Sequence, residues 1–300
     1  MASLNSLLFK YTTDASRFLV VDSLLIHYRD EGEGEVLVLL HGAFSSLHTF
    51  NDWSKHLKKH YRIIRLDIMG FGLTGPNDTN DYSMNNHMRV LKSFLNTLKI
   101  DEFYLVGNSL GGWLSWEFTA RYPERVKKLV LIDAAGFLEE ENIPLPFKLA
   151  RAPIFGRVIK YVVRRAILEQ FVKQVYFDQT KVNEQLINRY YDLFTRDGNS
   201  DAFLALVNQR YKDNTAKLKE IRQETLVIWG REDIWIPAHN AQRFHQLLPN
   251  SFLKIYPNVG HVPMEEIPEE TALLLLDFLH ETGEFSPSKD FARKQHTAED

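Results

Sequence analysis

Phe103-Tyr104-Leu105-Val106-Gly107-Asn108-Ser109-Leu110-Gly111-Gly112 decides how this chain is read. An apolar run suited to a buried strand ends in a serine framed by glycines, and a helix start follows. This G-x-S-x-G frame sets Ser109 on a sharp strand-to-helix turn, the nucleophile elbow, which lifts the hydroxyl above the edge of a sheet. Glycines two residues to either side carry no Cβ and leave room for strand and helix to approach closely. Ser109 is therefore the candidate nucleophile.

Outward from this motif, strands and helices alternate. Arg17–Val21 and Leu24–Tyr28 are β-rich, and Val36–Leu40 is continuously apolar, as suits a strand buried on both faces. Leu47–Lys59 reads as a helix and Arg62–Leu66 as a strand. Ser83–Leu98 reads as a helix with an apolar face through Met84, Met88, Leu91, Leu95 and Leu98. The elbow strand, a helix over Ser109–Tyr122 and a strand over Val126–Ile132 follow. Such alternation predicts right-handed βαβ units and a mostly parallel central sheet flanked by helices.

The rhythm breaks after Asp133. No strand run appears from Phe137 to about Lys217, where Pro144, Pro146 and Pro153 precede helical stretches at Val158–Tyr176, Val182–Thr195 and Asp201–Tyr211. The rhythm resumes with strand Thr225–Trp229, helix Ala238–Leu248, strand Phe252–Tyr256 and helix Pro268–Leu279. The expected organisation is a core of residues 1–136 and 218–283, a helical cap at 137–217 inserted after the sixth strand, and a polar, mobile tail at 284–300.

Composition narrows the function classes. The 300 residues suit one large domain or a domain with an insertion, and 44% hydrophobic residues can build a sizeable core. A net charge of -3 gives no reason to expect nucleic acid. With no cysteine, disulfides, thiolate zinc sites and a cysteine nucleophile are excluded. The first ten residues lack a basic region and a long apolar stretch, and no segment reaches the ~18 apolar residues of a membrane span. The expectation is a soluble cytoplasmic protein, a monomer or weak homo-oligomer, acting on a small molecule.

A serine hydroxyl needs a base to act as a nucleophile near neutral pH, and that base needs an orienting acid. In sheets of this kind functional groups stand in loops beyond the carboxyl ends of the strands. Gly230-Arg231-Glu232-Asp233 follows one such strand, and Pro257-Asn258-Val259-Gly260-His261 follows the next. The order Ser109, Asp233, His261 is the chain order of a known hydrolytic triad. Glu232 and Asp133 compete with Asp233 for the acid. Acyl transfer also needs donors for the oxyanion. The backbone N–H of Leu110 is one candidate; the other comes from His41-Gly42-Ala43-Phe44, with Ala43 preferred and Phe44 as the alternative. His41 reads as a structural histidine that hydrogen-bonds loop backbone.

Several stretches together resemble the α/β-hydrolase superfamily over residues 17 to 282. They are His41-Gly42-Ala43-Phe44, Asp67-Ile68-Met69-Gly70-Phe71-Gly72, the elbow, Trp229-Gly230-Arg231-Glu232-Asp233 and Gly260-His261-Val262-Pro263-Met264-Glu265-Glu266. Within the superfamily the chain is most similar to serine esterases and small bacterial lipases. That resemblance implies a carboxylic ester substrate, an acyl-enzyme intermediate and no cofactor, and a cap that encloses a limited pocket points to esters of short to medium chain. Ser109 stands where haloalkane dehalogenases and epoxide hydrolases carry aspartate. Gly260-His261-Val262 departs from the Gly-His-Trp of carbon–carbon bond hydrolases, and the Ala43-Phe44 loop lacks their extra glycines. A carbon–carbon bond (meta-cleavage product) hydrolase, a thioesterase or an amidase stays open on the same triad. So does a non-catalytic ligand-binding or receptor protein on this fold.

Other signals point elsewhere and are weaker. Gly70-Phe71-Gly72-Leu73-Thr74-Gly75 matches a dinucleotide pattern, but Pro76–Asp81 separates it from the next helix, so it reads as a glycine-rich loop flanking the site. His56 and His60 have helical ligand spacing but enclose Lys58 and Lys59, which argues against a metal. The charges of Lys212–Arg222 read as a solvated face. Among the cap aromatics Phe155, Phe171, Tyr176, Phe177, Tyr190, Tyr191, Phe194 and Phe203, some should line an apolar pocket and the others pack as core.

Overall fold

The computed structural model describes residues 3–137, 145–151, 165–280 and 292–294. Its single sheet contains β1 (Ser16–Val21), β2 (Leu24–Glu31), β3 (Val36–Leu40), β4 (Arg62–Leu66), β5 (Phe103–Asn108), β6 (Val126–Ile132), β7 (Glu224–Gly230), β8 (Ser251–Tyr256) and β9 (Ala292–Lys294). The spatial order is β1-β2-β4-β3-β5-β6-β7-β8-β9. β1 and β2 form a hairpin, with the positive φ of Asp22 (48°) and Ser23 (68°) supplying the tight turn. β2 pairs antiparallel with β4, and every pairing from β4 through β3, β5, β6 and β7 to β8 is parallel. The continuous apolar runs of β3 and β5 sit at the centre of the sheet, where both faces are covered.

Helices cover the faces: α1 (Leu4–Tyr11), α2 (Asn51–Leu57), α3 (Met84–Thr97) and α4 (Leu110–Arg121) precede β6. Between β6 and β7 lie α5 (Leu145–Arg151), α6 (Arg165–Gln174), α7 (Glu184–Phe194) and α8 (Asn199–Val207), the helical insertion after the sixth strand. α9 (His239–Leu247), α10 (Pro263–Glu266) and α11 (Pro268–His280) complete the order. The fold is the α/β-hydrolase fold expected from the alternation of the sequence. α4 is buried on nearly all sides from Leu110 to Thr119, as the central helix of such a fold should be.

Some elements differ from the sequence reading. The helix expected over Leu47–Lys59 begins as a 3-10 turn at Leu47–Phe50, whose first N–H is held by the Asp67 carboxylate at 2.7 Å. α1 has no counterpart in the sequence reading. Ser3 Oγ caps it by accepting from the Ser6 N–H, and Leu7 and Tyr11 are its buried residues. The start of the expected Val158–Tyr176 helix and Phe155 lie outside the described residues; the helix is described over Arg165–Gln174. Of the tail at 284–300, residues 292–294 pair antiparallel with β8 and the remainder lies outside the described residues.

Candidate active site

Ser109 stands directly after β5, at φ 54° and ψ -116°, in the positive-φ territory that non-glycine residues seldom occupy. The turn is held from both sides. The Ser109 N–H donates to the Ile132 carbonyl at 3.0 Å, and its own carbonyl accepts from Trp113 and Ala135 N–H groups at 3.0 Å each. A Cβ on Gly107 would fall 2.1 Å from the Gly111 carbonyl oxygen, and one on Gly111 would fall 2.1 Å from that of Leu40. The two glycines thus allow β5, α4 and β3 to meet, which is what brings the serine to the sheet edge.

His261 follows β8 and Asp233 follows β7. The imidazole Nδ1 of His261 lies 2.6 Å from Asp233 Oδ2, with both side chains buried. Asp233 Oδ1 accepts from the backbone N–H groups of Trp235 at 2.8 Å and Ile236 at 3.0 Å, so the carboxylate is oriented by its own loop. Of the competing acids, Glu232 accepts from the Val259 N–H at 3.1 Å and serves the loop instead. Asp133 is fully buried behind Asp233, with Oδ1 accepting from the Gly230 N–H at 3.0 Å. One ligand-type atom from each of Asp133, Asp233 and His261 lies within 4.8 Å of the others.

Asn108 ties the serine turn to the histidine loop. Its Nδ2 donates to the His261 carbonyl at 3.1 Å and to that of Ile132 at 3.2 Å. Among the described residues Ser109 Oγ makes no hydrogen bond to the imidazole; in hydrolytic sites this contact is often long until substrate enters. His261, Asn108, Gly42, Ala43, Phe44 and Trp235 share one cleft. An added Cβ on Gly42 would lie 3.5 Å from Ser109 Oγ.

The cleft is narrow, with about 30 Å³ of free volume. α6 contributes Leu168, Phe171 and Val172 to its wall, and Tyr190 of α7 joins them. Of the aromatics singled out in the sequence, Phe171 and Tyr190 therefore line it. Phe194 and Phe203 instead pack on Phe44, with ring centroids at 5.2 Å and 4.2 Å. Phe44 has φ 63°, and neither the Ala43 nor the Leu110 N–H has a protein acceptor among the described residues.

His41 is structural. Burial pushes its pKa down, and the neutral ring donates through Nδ1 to the Gly42 carbonyl at 2.7 Å and accepts through Nε2 from the Ile68 N–H at 2.9 Å. The glycine-rich loop after β4 wraps a carboxylate of its own. A Cβ on Gly72 would strike Asp67, which also accepts from Leu47 and Leu73 N–H groups and pairs with His27 at 2.7 Å. Burial opposes ionisation of Asp67, but the charge and hydrogen bond of His27, with His41 and His48 near, hold its pKa well below the usual carboxylate range.

Glu266, five residues after His261, has a role that its sequence motif does not disclose. Its Oε2 accepts from Gly260 N–H at 2.9 Å and Phe177 N–H at 3.2 Å, and its Oε1 from Asp178 N–H at 2.8 Å. It clamps the histidine loop to the segment between α6 and α7, where His261 N–H also donates to the Val175 carbonyl at 2.8 Å. Its sequence signal is an acid at the end of the single turn that Pro263 opens two residues after the histidine.

Comparison with known proteins agrees with this architecture. Residues 35–268 match the family described as alpha/beta hydrolase fold. A 2-hydroxy-6-oxo-2,4-heptadienoate hydrolase of Pseudomonas putida is 30% identical over 276 residues, covering 89% of this chain and 96% of the relative. A serine hydrolase involved in carbazole degradation superimposes with a TM-score of 0.75 at 27% identity, covering 88% of this chain and 98% of that one. A bacterial membrane phospholipase A gives a TM-score of 0.75 at 26% identity, covering 88% of this chain and 85% of that one. This chain is a member of the α/β-hydrolase fold family.

Proposed function

We propose that this hydrolase cleaves carboxylic esters of short to medium chain through an acyl-enzyme intermediate. Ser109 attacks the ester carbonyl as His261 takes its proton, and the imidazolium then protonates the departing alcohol. Asp233 holds the imidazole tautomer and stabilises its charge. The N–H groups of Leu110 and Ala43, with Phe44 as the alternative to Ala43, receive the oxyanion. Water activated by His261 then releases the acid. The observation that carries this reading is the buried 2.6 Å contact between His261 Nδ1 and Asp233 Oδ2 beside the strained Ser109 turn.

The cleft walls are mostly aliphatic and aromatic, with no lysine or arginine among the described residues, which supports a neutral ester substrate. A dienoate brings a carboxylate, and burying a carboxylate needs a cation or several donors; Ser45, Tyr190 and Trp235 are the side-chain donors the lining offers it. The P. putida relative, named as a heptadienoate hydrolase, supports carbon–carbon bond cleavage as the second reading. Thioester or amide hydrolysis would use the same groups. The free volume of about 30 Å³ corresponds to a water or two.

A serine-directed phosphonate followed by mass spectrometry tests the nucleophile: an adduct on Ser109, absent in Ser109→Ala, is expected. No adduct would favour a binding protein on this fold. A panel of 4-nitrophenyl esters against ring-cleavage dienones tests the substrate class, and preference for the dienones would overturn the ester reading.

A further inference from the structure

One buried acid has no role in the reaction just described. Asp133 follows β6 immediately and is wholly buried, at φ 44°. Its Oδ1 is satisfied by the Gly230 N–H at 3.0 Å, whereas Oδ2 has no hydrogen-bond partner among the described residues. A buried oxygen left unpaired is costly, and native structures seldom tolerate it. The carboxylate of Asp233, itself in contact with His261, has an oxygen within 4.8 Å of one of Asp133's own. Two ionised carboxylates at this separation in a dry site would repel strongly, and Asp233 is already committed to the imidazole and to two backbone N–H groups. One proton on Asp133 removes both problems, because it turns the unpaired oxygen into a donor with a carboxylate acceptor beside it.

We propose that Asp133 is a neutral carboxylic acid whose Oδ2–H donates to the Asp233 carboxylate, making it a positioning residue for the catalytic acid. The proposal rests on the triad reading above. The groups around Asp133 agree with it. Burial, followed by the charge of Asp233 and more weakly that of Glu266, drives its pKa well above the ordinary carboxylate range, against the single opposing hydrogen bond from Gly230. No proton moves from Asp133 during turnover; it stays bound and withdraws electron density from Asp233. Asp233 then holds the imidazolium less tightly than an unassisted carboxylate would, which keeps His261 available as a base at lower pH.

Two variants test this. In Asp133→Asn the amide carbonyl still accepts from the Gly230 N–H while the NH₂ replaces the O–H donor. In Asp133→Val the donor is gone. Infrared difference spectra of wild type minus Asp133→Asn at pH 7 should show the loss of a protonated carboxyl band. Loss of an ionised carboxylate band instead would overturn the proposal, whatever the protein hydrolyses. In the kcat/KM profile the acidic limb should rise by roughly one pH unit in Asp133→Val and return to the wild-type position in Asp133→Asn. Equal shifts in both variants would also overturn it. Should Asp133→Val fail to fold, the infrared result on the asparagine variant still decides. Failure of the triad reading would appear separately, as absence of the phosphonate adduct on Ser109.

Discussion

The carboxylate of Asp233 is fixed by two backbone N–H groups before the imidazole reaches it, so its direction belongs to the loop after β7 and not to His261. Replacing it by asparagine would keep that loop contact but present an NH₂ to Nδ1 and select the wrong tautomer. We expect Asp233→Asn to lower turnover on the order of 10⁴-fold in steady-state assays; a near-wild-type rate would transfer the role to Asp133 or Glu232. At this scale the sequence was legible where order along the chain carries the information: a serine, an acid and a histidine after the ends of β5, β7 and β8. It was not legible between adjacent acids. Glu232 and Asp233 share one loop, and only the backbone turn decides that the first reaches the Val259 N–H and the second reaches His261. Asn108 had no readable signal, because both carbonyls that it serves come from distant parts of the chain.

Elements meet where side chains are absent. The crossing of β5, α4 and β3 depends on Gly107 and Gly111, whose missing Cβ atoms would each lie 2.1 Å from a carbonyl oxygen. Backbone cannot retreat as a flexible side chain can. Gly107→Ala should therefore cost several kcal/mol, on the order of the larger single-substitution effects, and denaturant unfolding should show a lower midpoint; an unchanged midpoint would mean that strand and helix can separate freely. The contact between α10 and the segment after α6 depends on charge instead. Glu266 is 1% exposed and accepts from three backbone N–H groups. Glu266→Gln would turn an NH₂ toward those donors. We expect a loss of about 2–4 kcal/mol and faster amide exchange at Phe177, Asp178 and Gly260, with exchange elsewhere much less affected. The long apolar-periodic elements were readable from the sequence, whereas α1, α10 and β9 are too short for periodicity to reveal and owe their form to tertiary partners.

For the molecule as a whole, buried histidines set the response to acid. Burial pushes the pKa of His48 down to about 3 and that of His87 to about 4, and lowers that of His41. In the unfolded chain each would take up a proton near pH ~6.5. Between about pH 6.5 and 4 the unfolded state thus binds more protons than the native one, and stability falls as pH falls. Asp133 acts in the opposite sense: its raised pKa keeps a proton on the native state above about pH 4, so its contribution weakens as pH rises. Each group contributes up to about 1.4 kcal/mol per pH unit, and the histidines together should outweigh the single acid. Chemical denaturation at pH 7, 6 and 5 should show a net loss of under about 1 kcal/mol from pH 7 to 6 and of about 2 kcal/mol from pH 6 to 5. A flat profile would mean that these rings are already charged in the native protein. The composition disclosed the number of histidines but not their burial, which depends on which loops close over them.

Residues 292–294 lie along the outer side of β8, opposite Ser251, Phe252 and Leu253. Without them that strand would offer a row of bare donors and acceptors, a template on which a second copy could dock its own margin. These three residues thereby act as a selvedge, and removing them would exchange a finished hem for one that sticks to its neighbours.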